Sequence, residues 1–509
     1  MRLLPILLFA LLPTPVAARA TITSPGPDTT SVTVYRDPDR GEGAIDAYLP
    51  GGFALISETR RIALPAGETT IRFEGVADGI IAVSAVVTGL PGGVAQKNRD
   101  ARLLSPAALL DGTLGNRVHL RRTVRATGKV TEQDAIIRSG ADNAVLLQTG
   151  EGFEGLRCAG LPENLSYDGV PSGLTAKPTL SILTTSPSAV TADVTLTYLA
   201  TGFDWGASYV AKVAQDGRTL DLFAWLTVAN GGDTGFSDSE LLAVAGKLNR
   251  VSDYDVLVGR APSPELALQC WPMDTTSTPG APPRPPPPPL RMMAAPMAME
   301  GAMQDIVVSA RRVADQEELG DLKLYRVPMR VDVNPHGQKQ VALLQKGSVP
   351  FHLYYAARIW PLRGADASRP MSRMIRMQNK ARDGLGLPLP SGGVALFQQS
   401  GSESLLVGDG RLRDHAVGED VEFGAGESAQ VRVSQTGQVD ADESGRVFRV
   451  ELTNALDRPA VAEIRINSAD GYALLQPSIR LEKRDRDWLW IVTVAANSKA
   501  ELRYRMKEE

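Results

Sequence analysis

The sequence predicts an all-β fold: an N-terminal β-domain with a small barrel-like module, then β-sandwich units interrupted by a disordered Pro-rich arm. Three observations carry this expectation. Short runs alternate apolar and polar residues with period two along most of the chain. The 48 Gly and 35 Pro punctuate those runs as turns would, at a density that long helices do not tolerate. Only one stretch, SPAALLDG at residues 105–112, reads as a helix, with Ser105 as N-cap, Pro106 at the first helical position and Gly112 as the stop. A chain of 509 residues exceeds one ordinary core, so several domains are expected. The composition shifts place them at 1–20 (signal peptide), 21–97 (N-terminal β-domain), 98–170 (barrel-like module), 171–273 (first sandwich), 274–318 (arm) and 319–509 (second sandwich).

In order, residues 31–35, 53–63, 68–73 and 82–88 read as strands, with the turn LPAG at 64–67. Residues 117–124, 128–137 and 143–149 are short strands at close spacing, which suits a compact module. Residues 179–185, 190–199, 208–213, 219–228 and 241–248 make the densest β-run, five antiparallel strands with Trp205 and Trp225 as core aromatics. Between about 279 and 313 the polyproline run 282–289 and a Met/Ala-rich tract offer neither ladder nor amphipathic face, so this is read as an extended, disordered arm. Alternation then resumes, with strands expected at 323–327, 338–345, 348–359, 373–380, 394–399, 404–408, 429–433, 446–452, 460–467, 479–483, 487–494 and 498–506. LGLPLP at 385–390 reads as an extended edge segment with a turn.

The formal net charge of −4 presents no basic field for nucleic acid. Arg2, the apolar run 3–12 and small residues before Ala18 and Ala20 read as a cleaved secretory signal, too short and Pro-broken for a membrane span. The expectation is a periplasmic or secreted protein with no transmembrane anchor after cleavage. In that oxidising setting the two cysteines, Cys158 and Cys270, are expected to pair; free buried thiols are the alternative.

No nucleophile elbow, phosphate loop, dinucleotide fingerprint or metal-protease helix is present, so no catalytic residue and no cofactor is assigned. One pattern fits a calcium loop: Asp440, Asp442, Ser444 and Glu451, with Gly445 at its turn. That loop needs helices on both sides, and here the flanks alternate like strands, so a polar hairpin turn is the preferred reading. The four histidines, His119, His336, His352 and His415, lack ligand spacing and read as surface or strand residues. The segment DIVVSARR at 305–312 resembles the short β-prone segment that TonB-dependent receptors offer to their energy-transducing partner; a tether re-entering the sandwich is the plainer reading.

Several stretches together resemble bacterial envelope proteins of the mucoidy-inhibitor A type, which carry domain of unknown function 4139. They are VTVYR at 32–36, LPAGE at 64–68, FEGV at 73–76, LSP at 104–106, TYLATGFDWGASYVA at 197–211, VAGKLN at 244–249, GDLKLYR at 320–326 and LGLPLP at 385–390. The resemblance implies an exported β-rich structural or interaction protein, with envelope proteins or polysaccharide machinery as its partners and no agreed catalytic residues. It departs from many relatives in lacking a long heptad segment, which puts partners recognised through a coiled coil in doubt. An envelope hydrolase with a site assembled from distant residues, or a calcium-stabilised binding module, are the alternatives.

Overall fold

The computed structural model describes residues 20–41, 43–100, 104–123, 127–139, 145–155, 163–171, 174–246, 313–319, 322–362, 366–400, 403–439 and 446–508. The signal segment, both cysteines, Asp440, Asp442, Ser444 and most of the arm lie outside these residues.

Strands β1 (Ala20–Thr23), β2 (Thr29–Tyr35), β3 (Gly52–Leu64), β4 (Gly67–Glu74), β5 (Val86–Thr88) and β6 (Gln96–Asp100) precede the helix α1 (Pro106–Gly112). Then come β7 (Arg117–Thr123), β8 (Val130–Ile137), β9 (Leu146–Thr149), β10 (Gly152–Gly155), β11 (Glu163–Ser166), β12 (Thr179–Ser186), β13 (Val190–Val213), β14 (Thr219–Asn230) and β15 (Phe236–Ala245). After the arm follow β16 (Asp315–Leu319), β17 (Leu322–Arg326), β18 (Val331–Val333), β19 (Gly337–Pro350), β20 (His352–Ile359), β21 (Asp366–Gln378), β22 (Gly392–Ser400) and β23 (Glu403–Leu412). The chain ends with β24 (Asp420–Val439), β25 (Arg446–Asn454), β26 (Ala460–Ile466), β27 (Tyr472–Leu475), β28 (Glu482–Arg484), β29 (Asp487–Val494) and β30 (Ser498–Glu508).

The fold is all-β, as the alternation predicts, and the described strands assemble into four sheets. A twelve-stranded sheet follows the path β16-β17-β15-β2-β3-β13-β14-β19, with β5, β18, β22 and β23 attached to it. A four-stranded sheet, β1-β4-β12-β6, covers part of it, and Ile71, Phe73, Leu180 and Ile182 pack with Val32, Ile56 and Ile62 in one shared core. A five-stranded antiparallel sheet, β10-β9-β8-β7-β11, makes the small module, in which Ala107 and Leu110 of α1 pack on Val118, Leu120 and Ile137. The nine-stranded C-terminal sheet is β27-β30-β25-β24-β21-β20-β26-β29-β28, around its own core of Trp490, Tyr504, Phe448 and Ile464.

β13 is the spine. Its first half pairs with β3 and its second half with β14 and, in parallel, β22. Two strands, 190–199 and 208–213, were expected here. Instead the strand runs on, because Gly202, at φ +88°, forms a bulge where the register slips between Thr201 and Phe203. A glycine takes this left-handed backbone at little cost, so the strand bends without ending.

Several other expectations are corrected. Strands from 21–97, 171–273 and 319–509 share the large sheet, so the linear boundaries do not follow the pairing: β15 lies parallel to β2, and β19 pairs with β14. Residues 315–318, assigned to the arm, belong to β16. Residues 82–88 form a strand only at β5, after a 3₁₀ turn at Ala82–Ser84. The single strand expected at 348–359 is divided between β19 and β20. Ser105 caps α1 as expected, accepting from the Ala108 amide at 3.0 Å. The stop, however, is Thr113 at φ −101°, whose hydroxyl donates to the Leu109 carbonyl, and not a left-handed Gly112.

The large and C-terminal sheets meet where β23 lies against β24. A Cβ at Gly410 would sit 2.1 Å from the Gly424 carbonyl oxygen, and one at Gly408 2.6 Å from that of Ala425. Only residues without side chains allow this approach. Arg373 reinforces it by donating to both the Val407 and Ala425 carbonyls.

Candidate functional site

The two ends of the eight-strand path come back towards each other. β16 and β19 are the path's terminal strands, and among the described residues each pairs with one neighbour on it. Among the described residues a backbone bond from the Ala314 amide, just before β16, to the carbonyl of Ala342, in the middle of β19, joins them at 3.0 Å. Beyond it lies a hollow of about 350 Å³ between Val313, Gln316 and Tyr325 on one side and Leu343, Leu344 and Lys346 on the other. It leads to a groove of about 660 Å³ between Gly246, Glu317, Lys323 and Tyr325 and the loops at 386–390 and 414–419. Gln316, Tyr325 and Leu387 line both spaces, so the two are neighbours.

The loops are set by one buried side chain. Asn379 has no exposed surface. Its amide nitrogen donates to the Leu387 and Ala416 carbonyls, both at 2.8 Å, and its oxygen accepts from the amides of Gly386 and Leu387 at 3.0 and 3.2 Å. The loops also bond to each other through a reciprocal backbone pair between Leu389 and His415, both at 2.9 Å. Tyr209 donates to the Pro390 carbonyl at 2.6 Å, and Tyr325 reaches that of Pro388 at 3.4 Å. The segment 385–390, expected as an extended edge segment with a turn, is a pinned loop: prolines 388 and 390 cannot donate to a ladder, and their carbonyls are used by side chains instead.

Behind the loops, Arg36 donates to Ser391 Oγ and Asp414, each at 3.0 Å, and its guanidinium lies 5.0 Å from the Trp205 ring centroid. Trp205 is fully buried, donates its indole N–H to the Val244 carbonyl at 2.9 Å and packs tilted on Tyr325. Trp225, expected in the core, is half-buried against Phe223. Asp204 is buried beneath the same end, where Arg40 Nε lies 3.0 Å away and the Asp37 and Trp205 amides donate to it. Burial raises its pKa, against those amides and Arg40.

His415, expected at the surface or on a strand, is a buried loop residue, 3% exposed. Neither ring nitrogen has a hydrogen-bond partner, although Nδ1 lies 3.5 Å from Glu419 Oε2. Burial, then the Arg413 charge, lowers its pKa, so the ring is neutral near pH 7. Gln316 Nε2 is a second buried polar atom without a partner. The groove thus offers an apolar floor, one imidazole and one amide without hydrogen-bond partners, and the two ends of one sheet. That set suits an extended backbone, which supplies donors and acceptors in alternation. Among the described residues no hydroxyl or thiol is hydrogen-bonded to His415.

The other sequence-selected residues lie elsewhere. Glu451 sits on β25 opposite Ser434, with Oε1 2.7 Å from Lys499 Nζ. It is five positions from the hairpin end, roughly 17 Å along the strand. The flanks of 440–445 are the paired strands β24 and β25, Val439 opposite Arg446, where a calcium loop of this type requires helices. Among the described residues no three His, Cys, Asp or Glu side chains group as metal ligands. His119 bridges Asp134 and Asp168, 2.8 Å to each, on the small module; His336 meets Asp233 at 2.6 Å; His352 is exposed on β20.

Asn379, Gln316 and Tyr325 carried no sequence signal of their own. A signal existed at the level of segments: the stretches at 244–249, 320–326 and 385–390 contribute Ala245, Lys323, Tyr325 and Leu387 to one groove. No protein-family model matches the chain, and no curated protein matches it.

Proposed function

We propose that this is an exported interaction protein of the bacterial envelope, of the mucoidy-inhibitor A type, and that its groove receives an extended peptide segment. The observation that carries the reading is the gap between β16 and β19, where the two ends of one sheet flank a hollow holding the unpartnered Gln316 amide and leading to the unpartnered His415 ring. Recognition by added strands uses main-chain bonds for affinity and alternate side-chain pockets for specificity. Export, a periplasmic or secreted location and a Cys158–Cys270 bridge belong to the same proposal. They rest on the N-terminal pattern and the cysteine count.

A displayed library of random twelve-residue peptides tests it. Binders with alternating apolar positions are expected, losing at least tenfold in affinity on Gln316→Ala or His415→Ala. Failure to select any peptide, or selected peptides indifferent to both changes, would refute the reading.

A further inference from the structure

The gap between β16 and β19 has a direction and a polarity. Along the eight-strand path six neighbouring pairs are antiparallel and one, β15 with β2, is parallel. Six reversals restore the starting sense, so β16 and β19 run the same way. The bond from Ala314 to Ala342 closes the gap at one end. From that closure β16 runs on to Gln316 and Glu317 and β19 to Leu343 and Lys346, with the hollow between them and the groove beyond. The Ala314 N–H points across the gap, so alternation along the strand turns the Gln316 backbone the same way. The two spaces differ in charge. Lys346 lines the hollow, with no acidic residue among the described ones, whereas Glu317, Asp414 and Glu419 line the groove beside Lys323. The Lys346 side chain is partly buried and makes no ion pair or hydrogen bond among the described residues, and the buried Gln316 Nε2 has no partner either.

We propose that the site receives the free carboxyl terminus of a partner protein, its last side chain apolar and seated in the hollow, its terminal carboxylate held by Lys346 and Gln316 Nε2. The proposal rests on the peptide-binding reading above and names the class of ligand. Because the two edges run the same way, one strand can lie antiparallel to both, the slightly more stable pairing. In that sense its upstream part lies in the open groove and its C-terminal end meets the Ala314–Ala342 closure. A chain that continued would have to turn out of the gap there, and a chain that ends has no such need. The charges favour the same direction. A terminal carboxylate in the hollow meets an unspent ammonium and amide, and in the groove it would meet three carboxylates. Charge-assisted bonds of this kind are roughly twice as strong as neutral ones. Leu343, Leu344 and Leu387 supply the apolar seat. The five residues of β16 span about 17 Å, so about five terminal residues of the ligand lie along it.

The experiment pans the full chain against two displayed libraries of random peptides, one with free carboxyl termini and one fused through that end. Binders are expected from the first library, ending in Leu, Ile, Val or Phe. Made synthetically, each is expected to bind about tenfold or more tightly as the free acid than as the terminal amide, and Lys346→Met to reduce that difference to about threefold or less. A photo-crosslinking group on the last residue is expected to join residues 313–316 or 343–346, and one placed five positions upstream to join residues 414–419. Equal binding of acid and amide by the unaltered chain, or crosslinks in the reverse order, overturns the proposal. If those same peptides still lose affinity on Gln316→Ala or His415→Ala, the groove stands as a peptide site that does not read chain ends. If neither library yields a binder, both readings fall.

Discussion

Replacing Asn379 with alanine should loosen both groove loops while leaving the sheets intact. The side chain makes four hydrogen bonds, all in a fully buried site. Each buried bond contributes about 1 kcal/mol net, and water entering the vacated space recovers part of the four. About 3 kcal/mol of local stability should disappear, roughly 150-fold in the opening equilibrium. The Gly386 and Leu387 amides bond directly to the Asn379 oxygen, so their exchange reports the change. Hydrogen–deuterium exchange with mass spectrometry should show peptides covering 385–390 and 415–419 exchanging about a hundredfold faster, with β13 and β25 unaffected. Asn379→Asp should be worse than alanine at neutral pH, because a carboxylate oxygen would then face the Leu387 and Ala416 carbonyls, and its cost should shrink on acidification as the carboxyl gains a proton. Unchanged exchange at 385–390 in the alanine variant, or a milder effect from aspartate, would refute the claim that this side chain sets the groove.

Other consequences can be measured. Glu58 and Arg60 form a buried ion pair joined by the Tyr198 hydroxyl, with Arg60 also donating to Ser24 and to the Pro25 and Glu74 carbonyls. Glu58→Leu alone should cost about 3–5 kcal/mol by leaving a buried cation, and adding Arg60→Met should recover part of it, read as denaturant midpoints. Gly410→Ala should destabilise by about 1–3 kcal/mol because its Cβ meets the Gly424 carbonyl, whereas Gly393→Ala, with open space around its Cβ, should be near neutral. The Asp168 and Asp134 hydrogen bonds, in that order, raise the pKa of His119, so its contribution is complete below the unfolded value near 6.5 and is lost as pH rises through the folded value. His415 has the opposite sign: its lowered pKa means that acidification below about 6.5 destabilises the groove. Histidine NMR titrations should show the two shifts in opposite directions, and His119→Gln should remove only the alkaline loss.

Individual strands were legible because burial on one face writes period two directly into the residues, as in β2, β25 and β26. Their partners were not. β15 lies parallel to β2 some two hundred positions earlier, and nothing in either strand's pattern names the other. The break expected between 199 and 208 is a bulge at Gly202, because a glycine bends a strand without ending it. The end of β14 and most of β15 are buried on successive residues, covered on both faces by other elements. The start of the capped helix was readable since Ser105 and Pro106 are adjacent signals. Asn379 was invisible: an asparagine in a polar-looking run becomes a hub only through loops that fold around it. His415 misled for a related reason, since one imidazole among charged residues suggests solvent and here lies under a loop.

The long interruption at 247–312 falls inside the large sheet and not between independent bodies. β13, β14 and β15 come before it, and their partners β22, β19, β17 and β18 come after. A protease that cut the stretch would therefore sever the backbone without separating the fragments, since whole ladders of hydrogen bonds still join them. The same arrangement governs the order of assembly. During synthesis, the first half of the chain has no complete sheet to fold into until the second half arrives, and its strands wait with open edges. Such a molecule folds late and as a whole, at the slow rates that distant strand pairing imposes.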